Sequence, residues 1–210
     1  MLGPLPPFVQ ILNFLPESER QQLLDWVTKN PGMFSAAKVS SENRVDPTKR
    51  ICAASRQLGP LEPILRKRLL EALPELISST GTGLTPHSIE LELAAHGNGA
   101  FFSAHTDTFV GTGRKRLAVE PGDERVLSAV YYFHDEPRIF SGGLLRLYRF
   151  GTPPAGHGSD AADHITLDPL GNSLVAFPST VLHEVTPVLC PSNRFSDQRF
   201  ALNCWYCRAR

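Results

Sequence analysis

Long apolar runs are missing from this 210-residue chain. No window approaches the roughly 18 apolar residues of a membrane helix, which argues against a membrane span. Excess charge of either sign is missing too: 21 Lys and Arg balance 21 Asp and Glu. That excludes a basic chain that coats nucleic acid and an acidic solvating tail. Cysteine is scarce, with Cys52, Cys190, Cys204 and Cys207 alone, too few to scaffold a chain of this length. The start, MLGPLPPFVQ, has no basic segment leading into an apolar one, so no secretory leader is expected. Gly and Pro, 16 and 18 residues, stay below the level of a low-complexity chain. These absences leave a globular protein of a reducing compartment, expected in the cytoplasm, with 41% hydrophobic residues for a core.

What is present divides near residue 86. Before it the pattern is helical. PESERQQLLDWVTKN opens on Pro16, carries Glu17 and Glu19 in its first turn, and spaces Leu23, Trp26 and Val27 as a buried stripe. Pro31-Gly32 stops it. A second helix follows Pro60, with Leu61, Ile64, Leu65, Leu69 and Leu73 at helical spacing and Arg66, Lys67 and Arg68 as a solvated outer side. After residue 86 the chain reads as short strands: 88–93, then 126–133, 144–150, 164–167, 173–177, 182–185 and 199–207. Strands this short and numerous, punctuated by Gly and Pro, predict an α+β chain, mainly β, with a sandwich or jelly-roll core. Two polar loops, 111–125 and 151–163, are long enough to be functional or unstructured. The first, with GTGRKR, is a candidate lid over a substrate.

Chemistry concentrates first at His105-Thr106-Asp107. On a strand, residues i and i+2 share a face, so an imidazole and a carboxylate are presented together. Such a pair supplies two ligands of the two-His, one-carboxylate triad that holds Fe(II) with open positions. Alone it is weak, since an HxD arises by chance roughly 0.3 times in a chain of this composition. A third ligand is available at His183, in PSTVLHEVTP. Beyond it, Arg199 lies in RFALNCW, where Arg199, Ala201 and Asn203 share one face of an alternating strand. An Arg that points inward among apolar neighbours needs an anion.

Four runs in order, HGNGAFFSAHTDT, LSAVYYFHDEPRIFSGGLLRLYRF, LVAFPSTVLHEVTPV and QRFALNCWYCR, resemble the 2-oxoglutarate- and Fe(II)-dependent dioxygenases, in their prolyl 4-hydroxylase-like branch. PFVQILNFLPESERQQLLDWV resembles that branch's N-terminal strand and helix, so the likeness runs from about residue 7 to 208. The resemblance implies a double-stranded β-helix (jelly roll) core at 86–208, with the strand and helices of 1–85 packed on one sheet, in a single catalytic domain spanning 1–210. It implies His105, Asp107 and His183 as both the metal ligands and the catalytic centre. Arg199 and Tyr132 would bind the distal carboxylate of the cosubstrate 2-oxoglutarate, and Gly142-Gly143 would bend the chain into the next strand. Two departures stand out. His96 occupies the place of a tyrosine found in many relatives and is a candidate donor to the cosubstrate. Arg199 lies 16 residues after His183 rather than about ten, which makes Arg194 a rival for the carboxylate.

The implied activity is hydroxylation of an unactivated C–H bond with O2 as co-reactant and succinate and CO2 as products. Ascorbate is expected as a further cofactor. The leading substrate is a prolyl residue in a protein or peptide. A free amino acid or other small molecule is the alternative, as is a metal-binding sensor or interaction module of the same fold. No nucleic-acid or membrane partner is expected. Trp26 and Trp205 are expected in the core, and His134, His157 and His164 at the surface. Cys204 and Cys207 are three apart on a strand, so their sulfurs should face opposite ways.

Overall fold

Pro16 caps the first helix, α1 (Glu17–Lys29), and the Asn30 side chain closes its far end by donating to the Trp26 carbonyl at 2.8 Å. Its buried side carries Leu23, Leu24 and Val27, together with Arg20, whose guanidinium is held by Glu17 and by the carbonyl of His134. The second helix, α2 (Glu62–Thr80), begins after a tight Gly59–Leu61 turn and ends on Gly81 in the left-handed conformation (φ +66°) that favours glycine. It buries Leu65, Leu69, Leu73 and Leu76, the repeat visible in the sequence. The computed structural model describes residues 3–39, 44–83, 87–108, 123–152 and 163–209. Loop 111–125 up to residue 122, residues 153–162 of the second loop, and His157 lie outside the described residues.

In chain order the described strands are β1 (Val9–Leu12), β2 (Ser35–Ala36), β3 (Arg50–Ile51), β4 (Ala53–Ser55), β5 (Ser88–His96), β6 (Phe101–His105) and β7 (Glu124–Tyr132). They continue as β8 (Ser141–Gly142), β9 (Leu145–Tyr148), β10 (His164–Leu167), β11 (Ser173–Pro178), β12 (His183–Val185), β13 (Val188–Leu189) and β14 (Arg199–Arg208). Seven form a major sheet in the order β1-β11-β7-β14-β5-β4-β2, and five a minor sheet in the order β10-β9-β12-β6-β3. Every described pairing is antiparallel, and β13 and β8 make a separate two-stranded ribbon. The result is a jelly roll, mainly β.

Alternation decides what each face of the major sheet meets. Leu91, Leu93, Tyr131, Phe200, Leu202 and Tyr206 point outward into one hydrophobic core with α1 and α2. The Tyr206 hydroxyl donates to the carbonyl of Leu69 on α2 at 2.7 Å. Tyr132, Val175, Phe177 and Ala201 point inward and meet Leu145, Leu147 and Leu167 of the minor sheet. Both helices therefore pack on one sheet, as the family resemblance implies. Between the sheets lies a cavity of about 480 Å3. Among the described residues no helix is long and apolar enough to cross a membrane.

Two readings need correction. The strand that carries His105 ends there; Asp107 sits in the bend beyond it, with its own amide and that of Thr108 donating to the Ser179 carbonyl at 3.1 and 3.2 Å. His134 is buried rather than superficial, edge-on to Phe140 in the turn after β7. Trp205 is buried as expected and also lines the cavity. Cys204 and Cys207 do face opposite ways, Cys204 into the helix-side core and Cys207 toward Glu90.

Candidate metal centre

His105 closes β6 and His183 opens β12, and the two are direct partners across the antiparallel ladder. Their rings lie 4.2 Å apart between centroids. The bend after β6 returns Asp107 to the same spot. His105 Nε2 is 3.7 Å from Asp107 Oδ1, and His183 Nε2 is 3.6 Å from Asp107 Oδ2. One atom from each of the three residues falls within 4.8 Å of the others. Distance in sequence is thus bridged partly by strand pairing and partly by the bend.

Both imidazoles are prepared to bind a cation. His105 Nδ1 lies 2.8 Å from the Ser103 carbonyl and His183 Nδ1 lies 2.9 Å from the Val181 carbonyl. A carbonyl only accepts, so each Nδ1 carries a proton, and in the neutral ring Nε2 is the nitrogen left with a lone pair. Phe102 stacks on the His105 ring at 3.5 Å, and Phe177 meets the His183 ring edge-on. Burial, reinforced by His183, lowers the pKa of His105 to about 3, which keeps that ring neutral. Burial pushes the Asp107 carboxyl up, but His183, His105, Arg125 and a Ser128 hydrogen bond outweigh it and hold it below the usual carboxylate range. Two neutral nitrogens and one carboxylate converge on a point, the donor set suited to Fe(II) with positions left open.

Deeper in the cavity a second group assembles on the major sheet. Arg199 pairs with His96 in the ladder of β14 and β5, while Ala201 beside it pairs with Tyr132. The Arg199 guanidinium lies 4.8 Å from the centre of the Tyr132 ring. Its Nη1 is 3.3 Å from His96 Nδ1. Arginine only donates, so His96 accepts at Nδ1 and carries its proton on Nε2. Burial holds the His96 pKa well below that of an ordinary histidine, with Arg199 and Arg50 acting in the same sense.

Arg199 is 1% exposed, and among the described residues no carboxylate pairs with it. Its Nε and the hydroxyl of Tyr132 are both buried, and among the described residues the two groups have no partner beyond each other. A lone buried guanidinium beside an unused hydroxyl is costly unless an anion completes it. The cradle therefore fits a carboxylate, the group that 2-oxoglutarate would bring. Burial lowers the Arg199 pKa and raises that of Tyr132, the response expected of a charge denied water. Arg194, by contrast, is exposed, points away and is tied to Asp197 at 2.8 Å.

Other lining residues gave no signal in the sequence. Arg125 belongs to β7 rather than to a solvated loop; it pairs with Glu90 (Nε to Oε1, 3.1 Å) and lies 3.9 Å above the Trp205 ring. Arg50 pairs with Glu92 at 2.8 Å. Ser128, small and common, donates to Asp107, and behind it Ser179 meets Ser128 with its hydroxyl and the Asp107 amide with its carbonyl. Only the alternation of β5 and β7 hinted that Glu90, Glu92 and Ser128 face inward.

Comparison with known proteins agrees with this geometry. The model of the 2OG-Fe(II) oxygenase superfamily matches residues 91–207. An uncharacterized PKHD-type hydroxylase of Synechocystis is 30% identical over 201 residues, which cover 93% of this chain and 61% of that protein. The chain thus spans about three-fifths of that relative's length. A prolyl-4-hydroxylase of Pseudomonas putida has a similar structure, with a TM-score of 0.68, 20% identity and coverage of 97% of this chain and 94% of the other. A prolyl hydroxylase of Trichoplax adhaerens, solved with a peptide fragment of a hypoxia inducible factor oxygen degradation domain, gives a TM-score of 0.65 at 22% identity. It covers 95% of this chain and 83% of that one.

Proposed function

We propose, from the premise that this chain belongs to the 2OG-Fe(II) oxygenase superfamily, that it hydroxylates a prolyl residue of a protein or peptide. The observation that carries the reading is Arg199, a buried and uncompensated guanidinium in the same cavity as a His-Asp-His cluster. His105, Asp107 and His183 are the proposed iron ligands, and Arg199, Tyr132 and His96 the proposed cosubstrate site. Fe(II), when bound with 2-oxoglutarate and O2, supplies hydroxylation of an unactivated C–H bond, with succinate and CO2 as further products.

The chain's own part is positional. His105 and His183 present fixed Nε2 lone pairs, and Asp107 contributes the one negative charge. Arg199 draws the anionic end of the cosubstrate inward, with Tyr132 Oη and Arg199 Nε, which have no carboxylate among the described residues, as its proposed donors. Leu145, Val130 and Phe102 line the same cavity and limit the water that reaches it. The structural likeness to two prolyl hydroxylases, one of them solved with a peptide, supports a peptidyl substrate. Ascorbate is proposed to sustain turnover. The four cysteines are all free, which suits a reducing compartment and the proposed cytoplasmic location. Residues 1–210 are taken as one catalytic unit.

Mass spectrometry of proline-containing peptides incubated with the protein, Fe(II), 2-oxoglutarate and ascorbate tests the reading. A gain of one oxygen atom matched by succinate is expected, and its loss in Asp107→Ala and His183→Ala. Oxidation of free amino acids but no peptide would move the substrate to the small-molecule alternative. If neither succinate nor an anaerobic Fe(II)–2-oxoglutarate absorption band forms, the enzyme reading fails.

A further inference from the structure

The Asp107 carboxylate is not free to turn. Ser128, on β7 of the major sheet, donates from Oγ to Asp107 Oδ2 at 2.7 Å. Ser128 Oγ also lies 2.8 Å from Ser179 Oγ, just past the end of β11. A hydroxyl has one proton, and an ionised carboxylate can only accept. Ser128 therefore spends its proton on Asp107 and must accept from Ser179. The direction is fixed: Ser179 to Ser128 to Asp107. Ser128 is 1% exposed and Ser179 is fully buried, so a water cannot readily substitute for either donor.

We infer that Ser128 and Ser179 form a two-hydroxyl relay that holds Asp107 in its cation-binding orientation, making both of them positioning residues for the metal. The inference rests on the reading that His105, Asp107 and His183 bind a divalent cation. One carboxylate oxygen accepts a charge-assisted bond strengthened by the donor behind it. Among the described residues Oδ1 has no such donor, and it is left for the cation. The carboxylate is thereby set before any ion arrives, which removes an ordering cost from binding.

A purely architectural role is separable from this one. Ser179 also fastens the bend through its main chain: its carbonyl accepts from the amides of Asp107 and Thr108, and its amide donates to the Val126 carbonyl at 3.1 Å. Those bonds survive loss of either hydroxyl. The hydroxyl chain can thus be cut while the clasp between the sheets persists.

Mn(II) affinity of the full-length protein, read from the electron paramagnetic resonance of free Mn(II), provides the test. Ser128→Ala is expected to weaken Mn(II) binding about ten- to hundredfold, the usual consequence of removing a partner of a metal-bound side chain. It should also shift the absorption maximum of the anaerobic Fe(II)–2-oxoglutarate complex. Ser179→Ala, which keeps the bond to Asp107 but strips its donor, should weaken binding by a smaller factor. The double variant should match Ser128→Ala alone, because a relay already cut at Ser128 cannot be cut again at Ser179. Additive losses, or Ser128→Ala binding Mn(II) within about twofold of the unaltered protein, would overturn the relay. Should Ser128→Ala not fold when melted with chelator present, Ser179→Ala decides: an unchanged Mn(II) affinity there sinks the relay. Asp107→Ala and His183→Ala separate this from the underlying reading. If both retain Mn(II), the metal site itself is wrong; if both lose it, only the relay is at stake.

Discussion

At the scale of single residues the proposed chemistry turns on a guanidinium with almost no solvent contact and, among the described residues, no carboxylate beside it. Arg199→Lys keeps the charge but removes Nε and the planar fork. The ammonium offers no equivalent of two parallel donors to a carboxylate. Affinity for 2-oxoglutarate, titrated anaerobically, should fall about tenfold or more, corresponding to ~1.4 kcal/mol at the lower end. Mn(II) binding should be unchanged. Gly143 makes Arg199's position possible. Its φ is +63°, and a Cβ there would lie 2.5 Å from Arg199 Cδ and 2.8 Å from Val188 Cγ2. Gly143→Ala should therefore cost about 1–3 kcal/mol of stability from backbone strain, seen in urea melts, and should weaken 2-oxoglutarate binding as well. Retained affinity would mean that Arg199 can move without penalty. The sequence exposed Arg199 because an Arg on an alternating strand is conspicuous. It hid Ser128 and Ser179, whose importance arises only from where the fold brings them, and it misjudged His134, which the fold buries.

Among the elements, α1 and α2 act as a backing for the sheet that carries Arg199, Tyr132 and His96. Leu69 and Leu76 are fully or nearly fully buried against that sheet. Leu69→Ala should cost about 2–5 kcal/mol, measured by chemical denaturation. The two helices are also joined by Arg68 and Glu19, with Nη2 and Oε1 2.7 Å apart. The Arg68 hydrogen bond lowers the Glu19 pKa, so Glu19 is a stronger acid folded than unfolded. Its contribution is complete above the ordinary glutamate range and is lost as pH falls through the lowered folded value. Glu19→Gln should remove that part of the acid dependence and cost far less than Leu69→Ala, because the pair is only partly buried. Both helices were legible from their apolar repeats and their Pro and Gly boundaries. Strands β5 and β14 were legible from alternation and β7 as a short apolar strand, though β5 and β7 begin or end a few residues from where the pattern suggests. The strands of 35–55 were not. Two or three residues cannot display a period, and β2, β3 and β4 exist only because longer neighbours offer them an edge. The assumption that His105 and Asp107 share one strand failed for a related reason: main-chain bonds to Ser179 turn the chain after His105.

Across the whole molecule, the two proposed binding groups sit on opposite sheets. His105 and His183 belong to the minor sheet; Arg199, Tyr132 and His96 belong to the major one. Little apolar contact can join the sheets where the cavity of about 480 Å3 intervenes. A cation alone would tie together parts of the minor sheet and the Asp107 bend. 2-Oxoglutarate alone would engage chiefly the major sheet. Bound together, with one end of the cosubstrate on the cation and the other on Arg199, they would span the cavity and join both layers. Each ligand at about a hundred times its dissociation constant stabilises a folded protein by roughly 2.7 kcal/mol if it binds independently. Mn(II) and 2-oxoglutarate together should raise the melting temperature by more than the sum of their separate shifts, measured by calorimetry at fixed ligand concentrations. Arg199→Lys should abolish most of that excess while leaving the shift from Mn(II) alone intact. A combined shift equal to the sum would mean that the two ligands do not meet in the cavity, and the assignment of Arg199 to the far carboxylate would have to be abandoned.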